Sequence, residues 1–418
     1  MPHTDPRTPF PPHASCGRIP SLMPIPSPFH PRTSALCTSL FWKEWAGYHA
    51  VRSFDTSHER EYFAFRHAAG LIDVSPLYKY EVKGPGAAAL LSLVMVKDIR
   101  KLKQGRVTYL CWCDDDGKVA DDGTVSRLDD DHFRVTAAEP ALAWLRRHAG
   151  RFDVTIDDVS TKLGALALQG PNARAILEQV VSGKIASLKF FAVMRTKLAG
   201  TPVWISRTGY TGDLGYEIWI ERDDALKVWD AVMEAGKPYR IEPAGIDALD
   251  VARVEAGFIM NGVDYFSAHH CAIEAKKSTP YELGLGRTVN LEREPFIGQA
   301  ALRAELKRGS TWALVGLVYD WDEYEALFAE HDLPPQVPAG AWRSGVPVYD
   351  ENADAVGQAT SGAWSPLLKK NLALATVPAR MAKPGTKLQV EVTVEYRRRQ
   401  VTATVAALPF FDPERKRA

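Results

Sequence analysis

The chain has 418 residues, of which 46% are hydrophobic and 24% are charged. This composition is typical of ordinary folded proteins. The length exceeds what one hydrophobic core usually supports, so we expect two or three domains. Lys plus Arg and Asp plus Glu both number 51, so no net field would recruit nucleic acid or an anionic membrane. No apolar run approaches the roughly 20 residues that span a bilayer, and we expect a small-molecule partner.

The five cysteines are scattered along the chain, and none forms a C-x-x-C pair or stands with histidines at zinc-site spacing. They are Cys16, Cys37, Cys111, Cys113 and Cys271. An odd number of scattered cysteines is typical of free thiols in a reducing compartment. We therefore predict free thiols, no metal site and a cytoplasmic location.

Prolines recur through the first thirty-odd residues, with few large apolar groups between them. A segment of this composition cannot bury a core, so residues 1–32 are predicted to be a disordered leader. The leader lacks the apolar stretch and cleavage site of a secretory signal. Met1 and Met23 both fit as the start of the chain.

Helix and strand patterns alternate from residue 41 onward. Helices are predicted at residues 55–69, 87–96, 141–148, 173–181 and 246–256, and strands at residues 78–82, 107–113, 118–128, 132–137 and 165–169, with an acidic turn at 129–131. This mixture predicts α/β or α+β domains. From about residue 315 strand-like runs alternate with proline and glycine turns, which predicts a separate all-β barrel or sandwich.

Residues 206–220, SRTGYTGDLGYEIWI, carry a glycine at every third position between two predicted strands. The spacing is not that of a dinucleotide-binding fingerprint, and a strand rather than a helix follows. Three glycines suit a tight turn where the backbone approaches a ligand closely, although a plain hairpin loop is the alternative.

The strand after this turn separates two kinds of side chain by its alternation. Tyr216, Ile218 and Ile220 point to one face, and Glu217 and Trp219 point to the other. A carboxylate beside an aromatic residue at this turn is suited to accept two hydrogen bonds from a planar amidine-like edge, such as the amino-pyrimidine side of a pterin. The alternative is a solvated strand glutamate without a function.

The run SRTGYTGDLGYEI and several further motifs resemble the aminomethyltransferase family, whose best-known member is the T-protein of the glycine cleavage system. The further motifs occur in the family's order: GLIDVS at 70–75, GKVADD at 117–122, LALQGP at 166–171, RVEAG at 253–257, and TSG with SPLLKKN at 360–371. Together they extend over almost all of the chain from residue 41 to residue 413.

The resemblance implies an α+β fold of three domains, arranged as a cloverleaf around a central hole that holds tetrahydrofolate. A discontinuous folate-binding domain would comprise residues 33–75 and 162–277, a ferredoxin-like domain residues 76–161, and a linker with a C-terminal β-barrel residues 278–418. The implied partners are folate and a methyl or aminomethyl donor. A lipoyl carrier protein is a further candidate partner.

The resemblance also implies the catalytic carboxylate. The second aspartate of the family's Asp-Asp pair corresponds to Asp122, which we prefer over Asp121 because only one of two adjacent strand residues is expected to face the site. A fixed carboxylate stabilises the positive charge that develops when folate N5 attacks the donor carbon, and it can accept a proton. The alternative is a plain Asp-Gly hairpin turn.

The family match assigns the folate contacts as well. Glu217 would grip the pterin, with Trp219 beside it. Arg253 would reach the benzoate or glutamate portion of folate, the alternative being a helix-surface ion pair with Asp250. Arg207 and Tyr210 are further candidates.

Two departures from the family pattern concern the donor. Pro76 stands where the family usually has a histidine, and residues 263–277 are inserted, with His269 and His270 among them. We therefore predict a remodelled donor end of the pocket, with His270 as a candidate acid or base. The donor stays open between an aminomethyl arm on a lipoyl carrier, a free methylated amine, and an O- or S-methyl compound.

The sequence thus predicts a tetrahydrofolate-dependent one-carbon transferase of the aminomethyltransferase type, moving a methylene or methyl group from an amine-type donor to folate N5. One alternative is a tetrahydrofolate-dependent demethylase of a methylated small molecule. Another is a non-catalytic folate-binding regulatory protein, against which the Asp-Asp pair argues.

Overall fold

A computed structural model describes residues 23–418 of the chain. The helices in this part are α1 (His30–Leu36), α2 (Glu59–His67), α3 (Ala87–Val94), α4 (Leu142–Ala149), α5 (Ala173–Val180), α6 (Ala225–Gly236), α7 (Ile246–Glu255), α8 (Gln299–Arg308) and α9 (Trp321–Ala329). The strands are β1 (Phe41–Trp45), β2 (Tyr48–Ser53), β3 (Ala69–Asp73), β4 (Tyr78–Lys83), β5 (Val107–Cys113), β6 (Val119–Asp129), β7 (His132–Ala137), β8 (Thr155–Asp158), β9 (Leu163–Gln169), β10 (Val181–Ser182), β11 (Val193–Leu198), β12 (Thr201–Ser206), β13 (Gly215–Glu221), β14 (Ile241–Pro243), β15 (Trp312–Tyr319), β16 (Val346–Tyr349), β17 (Ala355–Ser365), β18 (Lys370–Pro378), β19 (Lys387–Val394) and β20 (Arg397–Ala406).

A seven-stranded sheet combines strands from two separate stretches of the chain, in the order β10-β11-β12-β13-β9-β3-β14. Its pairs are antiparallel except for β3 with β14. One face buries apolar side chains against α5 and α6, including Ile176 and Trp229. The other face packs against α2 and α7, through residues such as Phe65 and Ala248. The sheet is therefore covered on both sides.

Strand β13 in this sheet has the alternation that the sequence predicts. Tyr216, Ile218 and Ile220 are fully buried in the core that includes α6. Trp219 belongs to the core on the opposite face, and Glu217 points to that same face. The predicted division of the strand into two faces is confirmed.

A five-stranded antiparallel sheet has the order β5-β6-β7-β4-β8 and is covered by α3 and α4. The predicted acidic turn is confirmed, since β6 ends at Asp129 and β7 begins at His132. The pairing of β5 with β6 shifts by one residue just before the Asp-Asp pair, because Trp112 pairs with Asp121 whereas Cys113 pairs with Val119. Such a bulge locally re-aims the side chains that follow it.

The last third of the chain forms a closed barrel with the order β15-β18-β17-β16-β19-β20. Closure pairs every strand edge, so this sheet has no open edge. Its interior is filled by small and branched apolar side chains, among them Leu317, Val390 and Ala403. The predicted all-β C-terminal region is confirmed as a barrel.

The structure of residues 23–32 differs from the prediction. Residues 1–22 lie outside the described part, but residues 23–32, which were assigned to a disordered leader, pack on the protein. Phe29 is fully buried with its ring 5.9 Å from that of Trp229, and Ile25 pairs with Tyr48 in a parallel bridge. The end of the leader at residue 32 was therefore wrong, because one aromatic anchor suffices to bury this segment.

Three further expectations concern the cysteines, membrane-spanning helices and metal sites of the described chain. Cys37, Cys111, Cys113 and Cys271 are free thiols, and Cys16 lies outside the described residues. Within residues 23–418 no helix is both long and apolar enough to cross a bilayer. In the same range no group of three His, Cys, Asp or Glu side chains is placed to hold a metal ion.

Candidate functional site

The Asp-Asp pair on β6 is held by hydroxyl and amide donors. Tyr109 donates its hydroxyl to Asp122 Oδ2 at 2.7 Å, and Tyr265 donates to Asp122 Oδ1. The Tyr265 hydroxyl also lies 3.3 Å from Asp121 Oδ1. Both carboxylates therefore reach one hydroxyl group. The choice of Asp122 over Asp121 as the acid that faces the site stays a prediction, since Asp121 and Asp122 pair in regular register with Trp112 and Cys111.

Asp121 is the more enclosed of the two acids, with only 3% of its surface exposed. Its Oδ1 accepts from the Asn261 amide at 2.9 Å, and its Oδ2 accepts from the backbone N–H of Glu139 at 3.0 Å. Asp122 is enclosed on most sides but remains partly exposed. Asp122 is therefore the less enclosed acid of the pair.

The protonation of this pair is shifted by its surroundings. Burial, and after it the charge of Asp122, raises the pKa of Asp121 from 3.8 to about 7. Burial also raises the pKa of Asp122, although the Tyr265 and Tyr109 hydroxyls oppose this rise. Among residues 23–418 neither acid forms an ion pair with a cation. Two adjacent buried carboxylates cannot easily both be ionised, so the pair is suited to hold one proton near neutral pH.

The segment from Phe258 to Tyr265 brings Asn261 and Tyr265 to the pair. It is shaped by Asp264, whose Oδ2 accepts from the Met260 backbone N–H at 2.9 Å and forms a 2.6 Å ion pair with Arg253. The last three residues of this segment, 263–265, belong to the stretch 263–277 that is predicted from the sequence to be inserted. In the structure the segment brings the Asn261 amide and the Tyr265 hydroxyl within hydrogen-bond distance of the two acids.

Arg253 on α7 is fully buried and its guanidinium is engaged on all sides. It forms ion pairs with Asp250 at 2.8 Å and Asp264 at 2.6 Å, and it donates to Ser361 Oγ of the barrel at 2.8 Å. The alternative of an ion pair with Asp250 is observed, but the pair is buried rather than on the helix surface. In the described structure Arg253 is fully buried, and its partners are all protein groups.

Glu217 on β13 has one carboxylate oxygen engaged and one available. Its Oε2 accepts from Thr208 Oγ1 at 2.6 Å and from Ser206 Oγ at 3.4 Å. No hydrogen bond reaches Oε1 from the described residues. Burial raises the pKa of Glu217, opposed by these two hydroxyls. A deep, partly exposed carboxylate without a cation fits a planar ligand edge with N–H donors, which is what the pterin of a folate offers.

The glycines before β13 are required by the protein itself. A Cβ on Gly209 or Gly215 would lie 2.0 Å or 2.1 Å from the Gln169 side-chain amide, and one on Gly212 would lie 2.6 Å from the Ala256 Cβ. Gly212 also has a φ of +76°, which favours glycine. The expected close approach is therefore observed, but to neighbouring side chains.

The three remaining predicted contacts occupy different positions. Tyr210 donates its hydroxyl to the Ile259 carbonyl, and its ring stacks 5.5 Å from that of Phe258. Trp219 Nε1 donates to Ser206 Oγ at 3.5 Å, on the same face as Glu217. Arg207 is buried and donates to backbone carbonyls near the C-terminus, including that of Lys416 at 3.2 Å.

Tyr210 links the glycine segment to the acid pair electrostatically. Burial raises the pKa of Tyr210, and among the nearby charges Arg253 lowers it while Asp122 raises it. Tyr109, which binds Asp122, has its own pKa raised by burial, by Asp122 and by Tyr210. Asp122 therefore raises the pKa of both tyrosines, and of the two it is Tyr109 that hydrogen-bonds to Asp122. Arg207, whose guanidinium faces the C-terminus, is not part of this group.

The adjacent histidines lie beside the five-stranded sheet. The His269 ring is 4.6 Å from the ring of Trp144 on α4, and burial lowers the pKa of His269. His270 is exposed, and its charge lowers the pKa of Glu139, which burial raises more strongly. Neither histidine hydrogen-bonds to Asp121 or Asp122 in the described structure.

Comparison with known proteins assigns this architecture. The GCVT N-terminal domain matches residues 30–293, and the glycine cleavage T-protein C-terminal barrel domain matches residues 333–412. The chain belongs to the glycine cleavage T-protein family. It is 35% identical over 359 residues to the aminomethyltransferase of Halothermothrix orenii, covering 85% of this chain and 92% of that protein. The predicted family is confirmed.

Further members of the glycine cleavage T-protein family show the same extent of similarity. The aminomethyltransferase of Streptomyces avermitilis is 34% identical over 395 residues, covering 92% of this chain and 98% of that protein. The crystal structure of the glycine cleavage system aminomethyltransferase T from Bartonella henselae superposes with a TM-score of 0.78 at 25% identity, covering 92% of this chain and 97% of that chain. The predicted multi-domain α+β fold is confirmed.

Membership of the T-protein family establishes the class of chemistry. The chain is a one-carbon transferase, and its cosubstrate is tetrahydrofolate. The side chains that hydrogen-bond to the acid pair were not identified from the sequence; they are Tyr109, Asn261 and Tyr265. Tyr109 lies on β5, which pairs with β6, so the predicted strand pairing could have identified it. Asn261 and Tyr265 lie 140 or more positions from Asp121 along the chain, and no local sequence pattern indicates their contact with it.

Proposed function

We propose that this protein transfers a one-carbon unit, as methylene or methyl, from an amine-type donor to N5 of tetrahydrofolate, with Asp122 as the catalytic carboxylate. The observation that carries the proposal is the buried Asp121–Asp122 pair, which has hydroxyl and amide donors and no cation partner in residues 23–418. A purely structural acid pair would be expected to gain a cation. Tetrahydrofolate, when bound, supplies the nucleophilic nitrogen.

The two acids take different roles in this proposal. Asp121, the more enclosed acid with a pKa of about 7, holds the shared proton on its carboxyl group. Asp122 then stays ionised and stabilises positive charge at the reacting nitrogens, and it can accept a proton at Oδ1 or Oδ2. The Tyr109 and Tyr265 hydroxyls fix the orientation of Asp122.

Folate binding in the proposal rests on the open oxygen of Glu217. Its Oε1 would accept from the amino-pyrimidine edge of the pterin, with Trp219 and Tyr210 beside it. Arg253 acts through Asp264 and the segment 258–265 as a positioning residue. Arg207 orders the C-terminal residues. The domain boundaries predicted after residue 32, and the cytoplasmic location, are further parts of the proposal, whereas the boundary at residue 32 is not kept.

The donor is the least constrained part. The curated relatives are named aminomethyltransferases, so an aminomethyl group on a lipoyl carrier protein is the first donor to examine. One observation favours a second candidate, a demethylase that acts on a free methylated amine. Tyr265, which binds Asp122, comes from the segment 263–277 that departs from the family pattern, so the donor side of the acid pair is altered.

The proposal is tested by incubating the protein with tetrahydrofolate and candidate donors and measuring methylene- or methyl-tetrahydrofolate. Asp122→Asn should lower the rate by about 100-fold or more, the contribution typical of a positioned acid–base group. Asp131→Asn, a change of the same chemistry at an exposed hairpin tip, should leave the rate unchanged. An Asp122→Asn variant as active as the wild type would refute the assigned role.

The same assay distinguishes the donor classes. Turnover only in the presence of an aminomethylated lipoyl carrier protein would favour carrier-linked transfer. Turnover with a free methylated amine and no carrier would favour the demethylase. Tetrahydrofolate binding without product from any donor would favour a non-catalytic folate-binding protein and contradict the proposal.

A further inference from the structure

A polar pocket of about 160 Å³ lies between the start of β6, the segment 274–282, the end of α8 and the start of β15. None of the residues that line it donates to or accepts from Asp121 or Asp122. One water needs roughly 10–15 Å³ measured in this way, so the pocket has space for a small molecule. It is separate from the proposed folate contacts of Glu217.

Charged side chains line this pocket in equal numbers of each sign, and most of them form ion pairs. Lys118 Nζ lies 3.6 Å from Glu282 Oε2, and Lys277 pairs with Glu274. One anionic and one cationic side chain of the lining form no ion pair within residues 23–418. The anion is Glu305 and the cation is Arg308, both on α8.

Glu305 forms a buried part of the wall and is 3% exposed. Its Oε1 accepts from Thr279 Oγ1 at 2.8 Å and from Ser310 Oγ at 2.6 Å. Its Oε2 is buried and has no hydrogen-bond partner in the part of the chain that the structure describes. A buried carboxylate oxygen without a donor is costly, so a donor from a bound molecule is expected there.

Arg308 stands three residues further along the same helix and is exposed. It forms no ion pair with any residue from 23 to 418. Side chains at positions i and i+3 of a helix are neighbours, with Cβ atoms about 5–6 Å apart. An unpaired anion inside the pocket and an unpaired cation outside it, on neighbouring positions of one helix, are complementary in sign to the two ends of a small zwitterion.

We propose that this pocket binds a small amino acid in its zwitterionic form, through an ammonium N–H donated to Glu305 Oε2 and a carboxylate held by Arg308. The charge-assisted hydrogen bond to Glu305 requires at least one N–H on the ligand. Trp312 at the edge of the pocket provides an apolar surface for a short side chain. The site is independent of the one-carbon chemistry.

The test is isothermal titration calorimetry of the full-length protein with glycine, alanine and serine, and with trimethylglycine as a zwitterion without an N–H group. At least one of the three amino acids should bind with one-to-one stoichiometry, and trimethylglycine should bind about tenfold more weakly or not at all. Glu305→Gln and Arg308→Ala should each weaken binding by about ten- to a hundredfold, the effect of losing one charge-assisted contact.

Glu274→Gln is the matched control, because Glu274 lines the same pocket but is already paired with Lys277. It should leave the affinity within about twofold of the wild type. The proposal is overturned if none of the amino acids binds saturably, or if binding persists unchanged in both Glu305→Gln and Arg308→Ala. Equal affinity for glycine and trimethylglycine would also overturn it, since the N–H contact would then be absent.

Discussion

Asp121 and Asp122 are adjacent carboxylates on β6 that share the Tyr265 hydroxyl. Their other donors in residues 23–418 are also neutral, so the charge of the pair is stabilised by hydrogen bonds alone. Neutral donors stabilise a carboxylate less than a cation would, which leaves the proton affinity of the pair high. This arrangement keeps an acid and a base next to each other near neutral pH.

Tyr265 is predicted to act as a positioning residue for Asp122. Tyr265→Phe removes a hydrogen bond to a charged group, which contributes about 1.5–3 kcal/mol, so the rate of transfer should fall by roughly ten- to a hundredfold. The Tyr265 hydroxyl lowers the pKa of Asp122, so its loss should shift the acid limb of the pH–rate profile to higher pH.

The pH–rate profile separates positioning from packing for Tyr265. Tyr281→Phe removes a hydroxyl from the same connecting region without touching the acid pair, and its profile should match that of the wild type. An unchanged acid limb in Tyr265→Phe would mean that the hydroxyl does not act on Asp122.

Asp121 should make the stability of the protein decrease as the pH rises. The folded protein keeps the proton on Asp121 until about pH 7, whereas the unfolded chain releases it near pH 4. The stabilisation is therefore complete below pH 4 and is lost as the pH rises through 7. Between pH 5 and 8 the free energy of unfolding of the wild type should therefore fall by on the order of 2 kcal/mol, and that of Asp121→Asn should not show this fall.

Urea unfolding at several pH values measures this difference. The slope of the free energy of unfolding against pH is compared between Asp121→Asn and the wild type. The substitution also changes one hydrogen bond, which shifts the free energy at every pH but leaves the slope unchanged. Asp131→Asn, at an exposed position, should keep the wild-type slope. Parallel slopes for Asp121→Asn and the wild type would show that the pKa of Asp121 is not raised.

At the scale of elements, the segment 258–265 connects three parts of the fold. Asp264 accepts from Arg253 on α7 and from Thr360 Oγ1 on β17 at 2.6 Å. The same segment presents Asn261 to Asp121 on β6. The buried Arg253–Asp264 ion pair therefore joins contacts from helix α7, the barrel and the five-stranded sheet at the site.

Loss of Arg253 is predicted to be strongly destabilising. Arg253→Leu leaves Asp264 as a buried charge without a cation, which costs about 3–5 kcal/mol. Arg52→Leu is the matched control, because Arg52 pairs with Asp247 on the same helix at 2.9 Å but is half exposed. It should cost less than about 1 kcal/mol.

Chemical denaturation of the two variants decides whether Arg253 has this structural role. The free energy of unfolding of Arg253→Leu should fall well below that of Arg52→Leu. Equal stabilities would indicate that the Arg253 network does not hold these elements together.

The elements and their faces were predictable from the sequence where the cause is local. Period-two alternation identified the face of β13 that carries Glu217, and the turn at 129–131 followed from its acidic composition. The burial of Arg253 was not predictable, since its partners Asp264 and Ser361 meet it only after the barrel packs on α7. The anchoring of residues 23–32 by Phe29 has the same cause.

At the scale of the whole molecule, the candidate site draws residues from every large sheet. The five-stranded sheet provides Asp122, the seven-stranded sheet provides Glu217, and the barrel provides Ser361 to the Arg253 network. The family resemblance located the two acids because its motifs coincide with these positions. The donors around them come from contacts between distant segments, which no single motif contains.

Binding of tetrahydrofolate through Glu217 is tested most directly by the dissociation constant of tetrahydrofolate. Glu217→Gln should weaken tetrahydrofolate binding about tenfold or more, because a charge-assisted hydrogen bond is lost. Glu221→Gln, at the exposed end of the same strand, should bind like the wild type. A Glu217→Gln variant with the wild-type dissociation constant would contradict this account of the site.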